Sequence, residues 1–127
     1  MAERIVPMIH VPDVRVTIDW YCSIGFKLRR DGEEDGELIW ALLTYGESEI
    51  MLNCGGKASD APRREFDLYI HAPDVDGLYE RLKDRVQVVE DPHDTFYGMR
   101  EWILRDCNGF WITFGQPMAE ESPATGK

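Results

Sequence analysis

The sequence has few cysteines, no long apolar run and a shortage of basic residues. Its three cysteines form no CxxC pair, so we expect no disulfide framework. We expect the protein to lie in a reducing compartment, the cytoplasm. No stretch approaches the roughly 20 apolar residues of a membrane helix, and the amino terminus lacks the apolar run of a secretory signal. Fourteen Lys and Arg against 24 Asp and Glu give a net charge of -10, which disfavours nucleic acid and membranes as partners.

A repeated hexapeptide is the strongest signal that the chain does contain. Residues 9–14 are IHVPDV and residues 70–75 are IHAPDV. Each copy follows an alternating apolar segment typical of a strand and precedes a segment with helical spacing. The proline cannot donate to a sheet ladder and so ends the strand, while Asp13 and Asp74 are suited to cap the next helix. A strand-turn-helix unit therefore occurs twice.

Three more strands are predicted after each helix. A polar turn at 31–36, a loop at 91–98 and an Asn-Gly turn at 106–109 separate some of them. The predicted strands are 4–11, 26–30, 37–44 and 48–54 in the first half, and 65–72, 86–90, 99–105 and 110–115 in the second.

The strand order predicts an α+β protein of two tandem βαβββ modules. Module one spans 4–54 and module two spans 65–116, joined by a Gly- and Pro-containing linker at 55–64. Since 127 residues lie near the usual size of one domain, we expect a single domain over 1–117. Residues 118–127 are small, charged and Pro-containing, and are expected to form a flexible tail.

These features resemble the vicinal oxygen chelate superfamily, which includes glyoxalase I, extradiol dioxygenases, and fosfomycin and bleomycin resistance proteins. The resemblance covers residues 4–116. It is carried by the Val-Pro-Asp-Val strand end, Trp20-Tyr21, Gly25-Phe26 and residues 105–110, where Cys107 replaces the proline of the family's Asp-Pro-Asn-Gly-Phe turn. The resemblance implies a mixed sheet that curves around a cleft, with the helices outside.

Strand alternation then predicts which side chains line that cleft. Met51 and Asn53 share one phase of the fourth strand, and Trp111 and Thr113 share one phase of the last. The tryptophans of the middle strands either stack on a ligand or fill the core, and Arg100 faces either the ligand or an acidic neighbour. The candidate ligand-binding residues are His10, Trp40, Met51, Asn53, Asp67, Tyr69, His71, Arg100, Trp102, Trp111 and Thr113.

The resemblance also locates the four positions that hold a metal in the family's enzymes. They correspond to Val6, Met51, Asp67 and Thr113, and only Asp67 is a convincing ligand for a divalent ion. We therefore expect neither metal nor cofactor. A different site built from His10, Asp67 and His71 remains open as an alternative.

Without a metal, the resemblance is closest to the bleomycin resistance proteins, which bind a flat cationic antibiotic in grooves formed across a homodimer. Tryptophans, tyrosines and acidic residues suit such a ligand. We expect a homodimer that binds a small aromatic or cationic molecule, with antibiotic sequestration as a possible role. One alternative is a metal-dependent or His-assisted lyase, isomerase or dioxygenase. The other is a structural or regulatory dimer whose own side chains fill the cleft.

Overall fold

The computed structural model describes residues 3–62 and 66–118, which form two helices and eight strands. The order is strand-helix-strand-strand-strand, repeated once, as the sequence predicts. The elements are β1 (Met8–His10), α1 (Val14–Ser23), β2 (Lys27–Glu34), β3 (Glu37–Tyr45), β4 (Ser48–Asn53), β5 (Asp67–His71), α2 (Val75–Leu82), β6 (Gln87–Asp94), β7 (Met99–Arg105) and β8 (Trp111–Pro117).

The two halves have the same sheet topology. One four-stranded sheet has the order β1-β4-β3-β2 and the other has β5-β8-β7-β6. In each, the first and last strands of the module are parallel neighbours, and the remaining pairs are antiparallel. This equivalence confirms the α+β fold with two tandem βαβββ modules. The curvature of the sheets around a common cleft and the single-domain boundaries stay predictions.

The chain divides into two compact units that nearly coincide with the modules. The first runs to Asp60 and also takes in Cys107–Gly109, while the second holds Ala61–Asp106 and the chain from Phe110 onward. Residues 63 and 64 of the predicted linker lie outside the described residues. So do all residues of the predicted tail except Met118.

Aspartate caps begin both helices. Asp13 Oδ1 accepts a hydrogen bond from the Val16 backbone N–H at 3.0 Å, and Asp74 Oδ1 accepts one from the Gly77 N–H at 3.0 Å. Each bond satisfies an amide that has no partner within the helix. The capping role predicted from the repeated hexapeptide is thus confirmed in both modules.

Each helix packs on one face of its own sheet. In the first unit the buried side chains of α1, including Ile18 and Tyr21, meet a layer that includes Leu43 and Leu52. In the second unit α2 covers the layer of Trp102, Ile112 and Phe114, and these three side chains have no exposed surface. Since successive strand residues point to opposite faces, the strand residues of the other phase form the face turned away from the helix.

Two edge strands extend well beyond the ends that the sequence predicts. The predicted turn at 31–36 is strand through Glu34, and the predicted loop at 91–98 is strand through Asp94. Both strands lie at an edge of their sheet, where charged side chains and Pro92 are tolerated because only one side must pair. Register shifts at Gly32/Glu33 and Glu90/His93 mark bulges there. The described residues contain no helix long and apolar enough to cross a membrane.

Candidate functional site

The open face of each sheet, meaning the face turned away from its helix, carries most of the predicted ligand-binding residues. In the first unit His10, Asn53 and Trp40 are aligned across β1, β4 and β3. Met8 and Met51 form the next row, and the Asn53 amide lies 3.6 Å from the Met8 sulfur. These two rows therefore combine apolar and uncharged polar side chains, with one histidine at their edge.

A buried carboxylate on the same face already has cationic partners. The Glu49 side chain is 8% exposed and forms ion pairs with Arg4 and with Arg29, the latter at 2.8 Å. A separate cavity of about 410 Å³ lies at the start of α1 and is lined in part by Pro12, Glu37 and Cys54. Cys22, Cys54 and Cys107 are all exposed.

The open face of the second unit has a different character, because its centre is a buried carboxylate held by two tyrosines. Glu101 on β7 is 3% exposed. Its Oε2 accepts hydrogen bonds from the hydroxyls of Tyr69 and Tyr97, both at 2.7 Å. The two phenols are themselves 41% and 56% exposed, and the His71 ring lies 5.1 Å from that of Tyr69. We call Glu101, Tyr69 and Tyr97 the tyrosine-carboxylate cluster.

The absence of a side chain at Gly115 makes this cluster possible. In the register of the sheet, Gly115 lies between His71 and Glu101. A Cβ atom at Gly115 would collide with the Tyr69 hydroxyl, so only glycine lets that ring cross β8 to reach the carboxylate. Burial and then the hydrogen bond to Glu101 raise the pKa of Tyr69 above its usual range. Tyr69 therefore stays a neutral hydrogen-bond donor at physiological pH.

The remaining predicted residues of this face lie beside the cluster. The Thr113 hydroxyl donates to Asp67 Oδ2 at 2.9 Å. The guanidinium of Arg105 stacks over the Trp111 ring at 4.7 Å from its centre. The second open face thus combines aromatic rings, two carboxylates and hydroxyl groups, which is the mixture typical of a small-molecule site.

Two predicted ligand-binding residues lie on the helix side of the second sheet. Trp102 is fully buried, donates from Nε1 to the Val75 carbonyl at 3.0 Å and packs against Tyr79 and Phe114. Arg100 forms ion pairs with Asp76 at 3.2 Å and Asp94 at 3.1 Å. Trp102 thus takes the predicted alternative of filling the core, and Arg100 takes that of facing an acidic neighbour. We therefore leave both residues out of the proposed site.

Sequence reasoning did not single out Glu101, and it placed Tyr97 only within the predicted loop at 91–98. The strand alternation of β7 is a weak signal, because Glu101, Trp102, Ile103 and Leu104 are all buried. The repeat offers a better one. Glu101 is opposite Gly115, which is opposite His71, just as Trp40 is opposite Asn53 and Asn53 is opposite His10. The position of Glu101 is therefore equivalent to that of Trp40, which was a candidate.

The residues at the family's four metal-binding positions do not fit a divalent ion. In the first unit Val6 and Met51 offer no oxygen or nitrogen donor from their side chains. In the second unit the Thr113 hydroxyl and the Asp67 carboxylate bind each other. One carboxylate and one hydroxyl are a poor donor set for zinc, nickel or manganese. Over the described part of the chain, no group of three or more His, Cys, Asp or Glu side chains could hold a metal.

Solved structures of other proteins have the same fold. TioX from Micromonospora sp. ML1 is 19% identical with a TM-score of 0.72, and the match covers 94% of this chain and 100% of TioX. A bleomycin resistance determinant encoded on the transposon Tn5 is 17% identical with a TM-score of 0.71, over 93% and 100%. TnmS3, an antibiotic binding protein from Streptomyces sp. CB03234, is 26% identical with a TM-score of 0.65, over 92% and 98%.

The sequence itself matches a family model over almost the same residues as the two modules. Among curated proteins, none matches it. The model of the Glyoxalase/Bleomycin resistance protein/Dioxygenase superfamily matches residues 4–114, which include both copies of the hexapeptide and all eight strands except the end of β8. The chain therefore belongs to the Glyoxalase/Bleomycin resistance protein/Dioxygenase superfamily.

Proposed function

We propose that this protein binds a small aromatic or cationic molecule on the open face of its second module, without a metal and without turnover. The observation that carries the proposal is the tyrosine-carboxylate cluster. Two half-exposed phenol rings are fixed by hydrogen bonds to one buried carboxylate. Rings held in this way lose little conformational entropy when a flat ligand stacks on them, and such preorganisation favours binding.

The biological role that this binding would serve is sequestration of an antibiotic. Support comes from TnmS3, an antibiotic binding protein, and from the bleomycin resistance determinant, which share the fold. The poor donor set at the four metal positions supports binding rather than metal-assisted chemistry. We also propose that the protein is a homodimer and acts in the cytoplasm. Sedimentation analysis of the purified chain can check the dimer.

Binding of an acridine dye tests the proposed function. We expect 9-aminoacridine to bind saturably, as followed by its fluorescence, with the same affinity before and after treatment with EDTA. Mass spectrometry should recover the dye unchanged after prolonged incubation. Replacement of Tyr69 by alanine should weaken binding about tenfold, because it removes one stacking surface and one group that fixes the carboxylate.

A partly exposed ring elsewhere provides the control. Trp20 lies on α1 of the first unit and packs edge-on against Tyr21, so Trp20→Ala should leave the affinity for the dye within about twofold. Equal losses in Trp20→Ala and Tyr69→Ala would contradict a site on the second open face. Loss of binding after EDTA, restored by a divalent metal, would contradict the metal-free proposal.

A further inference from the structure

We propose that Glu101 recognises a positive charge, so that the ligand is a planar aromatic cation carrying an N–H donor. This inference rests on the proposed function and adds to it the chemical class of the ligand and the residue that selects it. The cation would bind the Glu101 carboxylate while its ring stacks on the exposed faces of Tyr69 and Tyr97.

The first argument is the environment of the charge. Glu101 is 3% exposed, and a carboxylate removed from water is costly unless a cation or several hydrogen bonds compensate it. Its described partners are the two phenols of the cluster, which are neutral donors. Burial and the bond to Glu101 raise the pKa of Tyr69, so this phenol brings a hydrogen bond and no positive charge to the carboxylate.

The second buried glutamate of the protein provides a contrast. The side chain of Glu49, on the open face of the first unit, is 8% exposed and forms ion pairs with Arg4 and Arg29. Its charge is already balanced within the protein. Since both glutamates lie on open sheet faces, the difference singles out Glu101 as the carboxylate that a cationic ligand would stabilise.

The third argument is hydrogen-bonding capacity. Both tyrosine hydroxyls bond to Oε2 of Glu101, whereas an ionised carboxylate has about four acceptor positions over its two oxygens. Oε1 therefore keeps capacity for an N–H donor. A bond between a charged amine and a carboxylate is roughly twice as strong as a neutral one, which would make charge the main determinant of selectivity.

A matched pair of dyes tests the inference. At about pH 8, 9-aminoacridine is protonated and carries N–H donors, whereas acridine is neutral and has the same ring system. We expect the wild-type protein to bind 9-aminoacridine about tenfold or more tightly than acridine. Glu101→Gln keeps the size and an acceptor oxygen but removes the charge, and should abolish this preference while acridine still binds.

Two further variants separate recognition from general effects. Glu80, 67% exposed on α2, lies on the helix side of the sheet, so Glu80→Gln makes the same change in net charge and should retain the preference. Tyr97→Phe keeps the ring but removes the hydroxyl that fixes it to Glu101, so both dyes should bind more weakly while the preference for 9-aminoacridine remains. Circular dichroism and a melting curve establish that each variant folds. If Glu101→Gln does not fold, the relative affinity of Tyr97→Phe for the two dyes still tests the inference.

The outcomes distinguish failure of the inference from failure of the proposed function. Equal binding of both dyes by wild type, or a preference that survives Glu101→Gln, would overturn the role of Glu101 and leave aromatic binding intact. A loss of the preference for 9-aminoacridine in Tyr97→Phe would show that the hydroxyl, not the carboxylate, recognises the charge of the ligand. No binding of either dye would overturn the proposed function together with the inference.

Discussion

Replacement of Trp102 by alanine is expected to lower the free energy of unfolding by about 3–5 kcal/mol. The side chain has no exposed surface and packs against Tyr79 and Phe114 at ring-centre distances of 5.2 and 5.3 Å. Its removal leaves a large cavity between α2 and the second sheet. It also deprives the Val75 carbonyl, which begins α2, of the hydrogen bond from Nε1.

Urea denaturation followed by circular dichroism measures this loss. Trp111 is the matched control, because it is a tryptophan of the same sheet whose ring is only partly buried and lies on the open face. Trp111→Ala should lower the free energy of unfolding by less than about half of the loss in Trp102→Ala. Similar losses in the two variants would contradict the assignment of Trp102 to the core and of Trp111 to the open face.

Replacement of Gly109 by alanine is expected to destabilise the protein by about 3 kcal/mol or more. Gly109 has a φ of +86°, and an added Cβ would collide with the backbone oxygen of Ser59. That contact belongs to a network in the first unit. The Ser59 N–H donates to the Asn108 carbonyl at 2.7 Å, and the buried Asn108 amide donates to Thr17 at 3.0 Å. A shift of Ser59 would disturb these bonds.

Gly98 separates the cost of the backbone conformation from the cost of the collision. Its φ of +87° is almost identical, but an added Cβ would meet no atom within 4 Å. Gly98→Ala should therefore lower the free energy of unfolding only by the roughly 1–2 kcal/mol that the left-handed conformation costs. Equal melting temperatures for the two variants would show that the packing of Gly109 against Ser59 contributes nothing to stability.

The fold could be predicted from the sequence because its main signals are local. The hexapeptide places a strand end, a helix cap and a helix start within six residues, twice, and Asp13 and Asp74 behave as predicted. The ends of β2 and β6 could not be predicted, because pairing with a neighbouring strand overrides the turn propensity of Gly32 and Pro92. The role of Asn108 in the first unit also depends on contacts distant in sequence.

The candidate site was predictable only in part. The alternation of residue types in β5 and β8 predicted the phase of these strands, and Tyr69 and Thr113 lie side by side on the open face. It did not single out Glu101 on β7, because the apolar run at 102–104 shows no alternation in the sequence. Its hydrogen bonds join residues 32 positions apart for Tyr69 and depend on the missing side chain of Gly115. No local pattern carries that information.

The most direct test of the proposed site is fluorine NMR of the protein labelled with 3-fluorotyrosine, titrated with 9-aminoacridine. Five tyrosines give five signals, which single Tyr→Phe variants can assign. The account predicts that the signals of Tyr69 and Tyr97 shift with the dye concentration, while that of Tyr79, which packs on the helix side, does not. Saturable binding that leaves Tyr69 and Tyr97 unmoved would contradict a ligand site on the second open face.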